Sequence, residues 1–114
     1  MKKNTTYNLF LDDVRRPISA YTYTKNDIYL IDWHVVINYN QFVAKILNSG
    51  VPEIISFDHD LAEDKSGTDC ARWLINYCIN NDKKLPKQIY IHSMNTEGRA
   101  DIKSLFTTYY KYMK

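Results

Sequence analysis

At 114 residues, with 45% hydrophobic and 25% charged side chains, the chain is long enough for one packed core and too short for two. A formal charge of +2 is too small to argue for nucleic acid by itself, and no apolar run approaches the roughly 20 residues of a membrane span. The opening MKKNTTYNLFLDD carries two lysines, but its short apolar run meets aspartates, so it does not read as a signal peptide.

The apolar run YNLFL (7–11) predicts a buried strand that ends at Asp12-Asp13. In RRPISAYTYTKND, Pro17 and the alternating Thr and Tyr predict a loop or short irregular segment rather than a full helix. WHVVI (33–37) predicts a second strand, and IYLID before it is expected to be extended too. Asn38 stands three residues before Gln41 in the manner of a capping box. Tyr39, Phe42, Val43, Ile46 and Leu47 then recur at helical spacing until Gly50 supplies a stop.

EIISF (53–57), bounded by Pro52, predicts a third strand. A helix marked by Cys70, Trp73, Leu74, Tyr77 and Cys78 follows, started by Ser66 or Thr68, and Pro86 closes it off. QIYIH (88–92) predicts a fourth strand. Asn95 can cap a last helix whose inward stripe is Ile102, Leu105, Phe106, Tyr109 and Met113. The two cysteines lie on one helix, separated by roughly 12 Å of rise, too far for a disulfide. Buried free thiols in a reducing cytoplasm are therefore expected.

This order of elements predicts a three-layer α/β fold: a mostly parallel sheet of about four strands with helices on both faces. Ligands of open parallel sheets bind beyond the carboxyl ends of the strands. Asp12-Asp13, Asp58-His59-Asp60 and His92-Ser93 follow the first, third and fourth strands, so they should converge at one edge. Strand ends often carry Asp merely as a turn residue. Three such clusters behind three apolar strands favour a site.

Crowded carboxylates are hard oxygen ligands of the kind Mg²⁺, Mn²⁺ or Ca²⁺ prefers, whereas a zinc site would draw on several Cys or His. His92 could act as general acid or base, or bond a phosphate, and His59 between two carboxylates has the same choice. Ser93 could hold a phosphate oxygen or serve as nucleophile. Arg15, and Arg99 in the first turn of the last helix, could reach an anion or simply balance the acids. His34, on a β-rich run, reads as structural.

Taken together, LFLDDVRRP, ISFDHDLAED, SGTD and IHSMNTEGR resemble the cyclic-phosphate processing receiver domain family, in the right order and over nearly the whole chain. The resemblance implies a receiver-like (flavodoxin-like) sheet and a phosphoesterase acting on a cyclic phosphate, such as a cyclic nucleotide or a 2′,3′-cyclic phosphate RNA end. In that family's pattern Asp12, Asp13 and Asp58 match the acidic pocket, which would hold Mg²⁺ or Mn²⁺. His59 and Asp60 match the D-H-D signature, Arg15 the motif arginine, and His92, Ser93 and Asn95 the H-S-x-N segment. The expected division of labour gives proton transfer to His92, helped by His59, and phosphate binding to Arg15, Ser93, Asn95 and Arg99.

The chain departs from the pattern in three places. Its first helix is degenerate, no fifth strand with its lysine follows His92, and Thr96 stands where the family often has Pro. Lys87 precedes the fourth strand, at the opposite end of the sheet. A phosphoacceptor role for Asp58 is accordingly the weakest expectation. A module that binds or sequesters a nucleotide without turnover, as in phage–host conflict, is the main alternative to hydrolysis. Richness in Asn, Lys, Ile and Tyr fits AT-rich coding in a bacterium or phage and says nothing about function.

Overall fold

The computed structural model describes residues 6–113, with side chains as far as Lys111. In chain order the elements are β1 (Asn8–Leu11), α1 (Pro17–Thr24), a 3₁₀ helix (Asp27–Leu30), β2 (His34–Val36), α2 (Tyr39–Ser49), β3 (Ile54–Phe57), α3 (Gly67–Asn80), β4 (Gln88–Ile91) and α4 (Thr96–Met113). The four strands form one parallel sheet in the order β2-β1-β3-β4. This is the α/β architecture expected, with helices on both faces.

Alternation along each strand divides the side chains between two unequal faces. Leu9, Leu11, Val36, Ile55 and Phe57 point to one side and meet Phe42 and Ile46 of α2, Leu74 of α3, and Ile102 and Phe106 of α4. Phe10 points to the other side and meets Ala20 of α1 and Tyr29 of the 3₁₀ helix, with Trp33 and Tyr90 around them. The first face is a broad aliphatic core. The second is small and largely aromatic.

Register brings the strand ends level: Leu11 lies opposite both Val36 and Phe57, and Phe57 opposite Ile91. The ladder continues one residue further on three strands. Asp12 N–H donates to Val36 O at 3.1 Å, Asp58 N–H to Leu11 O at 3.0 Å, and His92 N–H to Phe57 O at 3.0 Å. Each polar residue is thus held by the sheet rather than by a loose loop.

Two expectations need correcting. The segment after Pro17 is a helix, because Pro17 opens it at the first position, where a missing N–H costs nothing. It is only eight residues long and stops at Lys25, which takes a left-handed φ of 59°. The run from Asp27 is not extended either, since the Asn26 side chain accepts from Ile28 N–H at 3.0 Å and starts a 3₁₀ turn. Chain direction becomes extended only at Ile31.

Elsewhere local chemistry decides details the spacing left open. Ser66, not Thr68, caps α3, in a reciprocal capping box with Asp69. Asn38 caps α2 by accepting from Gln41 N–H, while the Gln41 amide oxygen bonds Ile37 N–H instead of closing the box. Leu47 faces solvent despite its helical spacing. The Met113 side chain lies outside the described residues. Both cysteines are free and buried, and burial pushes the Cys78 thiol up to about 11 and that of Cys70 higher still. Among the described residues, no helix is long and apolar enough to cross a membrane.

Candidate functional site

Asp12, Asp58 and His92 share the parity of Phe10, Ser56 and Tyr90, so their side chains gather on the aromatic side at the strand ends. All three are buried, and one ligand atom from each lies within 4.8 Å of the other two. His92 is packed flat on Phe10, with ring centroids 4.2 Å apart and planes 6° apart. Its Nε2 is 3.1 Å from Asp12 Oδ2, and its Nδ1 is 2.7 Å from Ser56 Oγ. Ser56 Oγ is in turn 2.7 Å from Tyr29 Oη.

Hydrogen-bond bookkeeping assigns directions to this chain. An ionised carboxylate only accepts, so Nε2 carries a hydrogen and donates it to Asp12. In the neutral ring Nδ1 is then an acceptor, filled by the Ser56 hydroxyl, whose oxygen accepts from the Tyr29 hydroxyl. Every group is satisfied in that one arrangement. Burial pushes the Tyr29 phenol up to about 12, so it remains a donor at ordinary pH.

The two carboxylates are not equivalent. Burial pushes Asp12 up, but hydrogen bonds from His92 and from the N–H groups of Val14 and Arg15 outweigh it and hold its pKa below the usual carboxylate range. Asp58 moves the other way: burial and the adjacent Asp12 raise it, against weaker opposition from the charge of His92, the His59 backbone N–H and the Ser93 hydroxyl. A buried acid destabilised by a neighbouring anion invites a cation. The donor set, two hard carboxylates with an imidazole behind one of them, suits a divalent metal with a preference for oxygen.

Over the pair lies an open cleft of about 330 Å³, lined by Asp12, Asp13, Asp58, Asp60, Ser93 and Asn95 and bordered by Arg15. Asp13 is on its wall, not in the buried group; its Oδ2 accepts from Ala62 N–H at 3.1 Å and ties the two acidic loops together. Asp60 is exposed on the far side, 3.0 Å from His59 Nδ1 and bonded by the Asn95 side-chain amide at 3.2 Å. These bonds lower the Asp60 carboxyl. Asn95 does two jobs, since its Oδ1 also caps α4 by accepting from Gly98 N–H at 2.8 Å.

Glycines permit this crowding. A Cβ on Gly98 would lie 2.2 Å from the His59 ring, and one on Gly67 would lie 1.8 Å from Asp58 O. Helices α3 and α4 therefore press directly on the D-H-D loop. Arg15 holds its guanidinium 5.3 Å above the Tyr23 ring, and Tyr23 donates to the His92 carbonyl oxygen, clamping α1 over the site. Arg99 does not line the cleft; it faces a groove beside β4. His34 lies outside as well, exposed and packed on Tyr7.

Sequence reasoning did not find Ser56 or Tyr29. Ser56 did leave a trace, as a hydroxyl at an inward position of an otherwise apolar strand, which requires a buried partner. Tyr29 left none.

A parallel sheet with acids after β1 and β3 and polar residues after β4 defines a receiver-like domain. The cyclic-phosphate processing receiver domain family matches residues 7–108, and the chain belongs to that family. No curated protein and no solved structure matches the chain.

Proposed function

We propose that the protein is a divalent-metal-dependent phosphoesterase that opens a cyclic phosphate. The observation that carries this reading is the buried Asp12, Asp58 and His92 group beneath a cleft whose walls carry polar side chains, Ser93, Asn95 and Arg15 among them. Asp12 and Asp58 would hold Mg²⁺ or Mn²⁺, which when bound polarises phosphoryl oxygens and activates water. His92 steadies the Asp12 carboxylate from behind, the role a hydrogen-bonded imidazole performs for a metal-bound acid. Ser93, Asn95 and Arg15 border the space where phosphate oxygens would sit.

In the reaction, water adds to phosphorus, one ester P–O bond breaks, and the departing oxygen takes a proton to leave a monoester. The His59–Asp60 pair at the rim is the more accessible proton carrier, because both ring nitrogens of His92 are occupied. Val14 and Met94, 75% and 62% exposed, border the same cleft and offer apolar contact to a ribose or base. A cyclic nucleotide or a cyclic-phosphate RNA end fits this mixture better than inorganic phosphate does.

The sealed position of His92 specifically favours a second reading, capture of the cyclic phosphate without turnover. A phosphoacceptor role lacks support: Lys87 pairs with Glu53 at 3.4 Å, before β3 and β4 begin, at the end of the sheet away from Asp58. Incubation with 2′,3′- and 3′,5′-cyclic nucleotides in Mg²⁺ or Mn²⁺, followed by chromatography and equilibrium binding, separates the readings. Monoester product supports hydrolysis. Binding without product supports capture, and neither outcome would leave the proposal without a substrate.

A further inference from the structure

We propose that the open edge of β4 takes up an extended acidic segment of another protein as a fifth strand. Among the described residues β4 has a single neighbour, β3. Gln88 and His92 turn their N–H groups toward β3 and its flank, bonding Glu53 O and Phe57 O. Backbone alternation therefore points the N–H and C=O of Ile89 and Ile91 outward, unpaired by any strand among the described residues. Edges are normally blunted by a charge, a proline or a bulge on the strand itself, or by extreme shortness. The other edge, β2, has only three residues, whereas β4 reads QIYI and carries none of these devices.

The surface beside this edge is shaped and charged. Two adjoining hollows of about 540 and 450 Å³ run along it and share Ile89, Ile91 and Lys103. Their other wall is a stripe of α4 bearing Arg99, Lys103, Phe106 and Tyr110, while the acidic Glu97 and Asp101 of that helix do not line them. Arg99 and Lys103 are exposed and make no ion pair among the described residues.

The dimensions suit a strand. Four residues of helix carry Arg99 to Lys103 over roughly 6 Å, close to the roughly 6.7 Å between alternate side chains of a strand. A strand laid against Ile89 and Ile91 turns every second side chain toward α4. Acidic residues two apart would meet the two cations, and its backbone would fill the outward donors and acceptors together. A nucleic acid backbone offers phosphate acceptors but no evenly spaced ladder of alternating N–H and C=O groups. A second copy pairing through β4 would bring like cations together and supplies no acid from QIYI. The occupant assigned is therefore an acidic β-strand segment.

Panning a random-peptide display library on the folded protein tests this, with amide exchange as the second readout. The expected result is enrichment of peptides with Asp or Glu two residues apart, whose binding slows exchange at Ile89 and Ile91. Lys103→Glu, at an exposed helical position, should keep the native circular dichroism and weaken these peptides about tenfold or more. No enrichment, enrichment without the acidic spacing, unchanged exchange at Ile89 and Ile91, or self-association through β4 would overturn the proposal.

Discussion

The two faces of the sheet are built for different work. Among the described residues, fifteen buried ones form one cluster with no charged member on the side of α2, α3 and α4. On the side of α1 and the 3₁₀ helix the buried apolar cluster among the described residues is Phe10, Ala20 and Tyr29, and with it runs the Tyr29–Ser56–His92–Asp12 hydrogen-bond chain. Apolar burial supplies most of the driving force for folding, so the broad face sets stability. A satisfied buried polar chain adds little net energy but admits one arrangement, so the thin face sets geometry. Separation of the two lets a small domain keep two buried acids close together.

Substitutions on opposite faces should therefore fail differently. Phe57→Ala should have the largest effect. Phe57 is fully buried against Phe42 and Phe106, with ring centroids 5.8 and 5.7 Å away, and truncating such a ring costs about 3–5 kcal/mol. That is a large share of a small domain's total stability, and urea denaturation should show it as a collapse of the midpoint.

On the thin face His92→Ala should cost less stability, about 1–3 kcal/mol from the partners it strands, and more function. Divalent-ion affinity should fall about 10–100-fold as Asp12 loses its orienting bond. Equal losses of stability and function in both variants would erase the distinction between the faces.

Ser56→Ala should cost about 1–2 kcal/mol, because it strands both His92 Nδ1 and the Tyr29 hydroxyl. Adding Tyr29→Phe should recover part of that loss, since the orphaned hydroxyl goes with it; strictly additive denaturation energies would show that the chain is not coupled. Nitrogen-15 shifts of His92 should report hydrogen on Nε2 in the wild type and a mixture of tautomers in Ser56→Ala.

The smallest effect concerns pH. Asp58 has a raised pKa in the folded state, so the folded protein binds more protons than the unfolded chain between the ordinary value of 3.8 and the raised one. Metal-free stability from this group therefore grows as pH falls through that window and is lost as pH rises above it. Asp12 has the opposite sign, contributing stability that is full above 3.8 and lost as pH falls through its lowered value. Asp58→Asn should raise the neutral-pH melting temperature of the metal-free protein and remove the gain seen on mild acidification. A variant less stable than wild type at neutral pH would show that the carboxylate is already compensated by the protein.

Most of the fold was legible because it rests on periodicity. The four strands and α2, α3 and α4 announce themselves through apolar spacing, as at Phe42 and Ile46 or Ile102 and Phe106. What was missed lies on the thin face, where few apolar residues are needed. Helix α1 contributes only Ala20 to the buried set, so Pro17 and the Thr/Tyr run looked irregular although Pro17 is a helix opener. The Asp27–Leu30 segment has strand-like composition but is bent by one side-chain bond from Asn26.

The site was legible in outline, since parallel strands must deliver Asp12, Asp58 and His92 to one edge. Its inner order was not. That Asp13 turns to Ala62 and His92 turns behind Asp12 depends on packing against Phe10, Ser56 and Tyr29, and no spacing rule reaches across the sheet.

The central claim is that the buried acid pair is a divalent-cation site, and titration calorimetry with Mn²⁺ tests it most directly. The account predicts one ion per chain for the wild type, with affinity at least about tenfold weaker in Asp58→Asn even though that variant is the more stable fold without metal. No binding at millimolar Mn²⁺, or equal binding by wild type and Asp58→Asn, would contradict it.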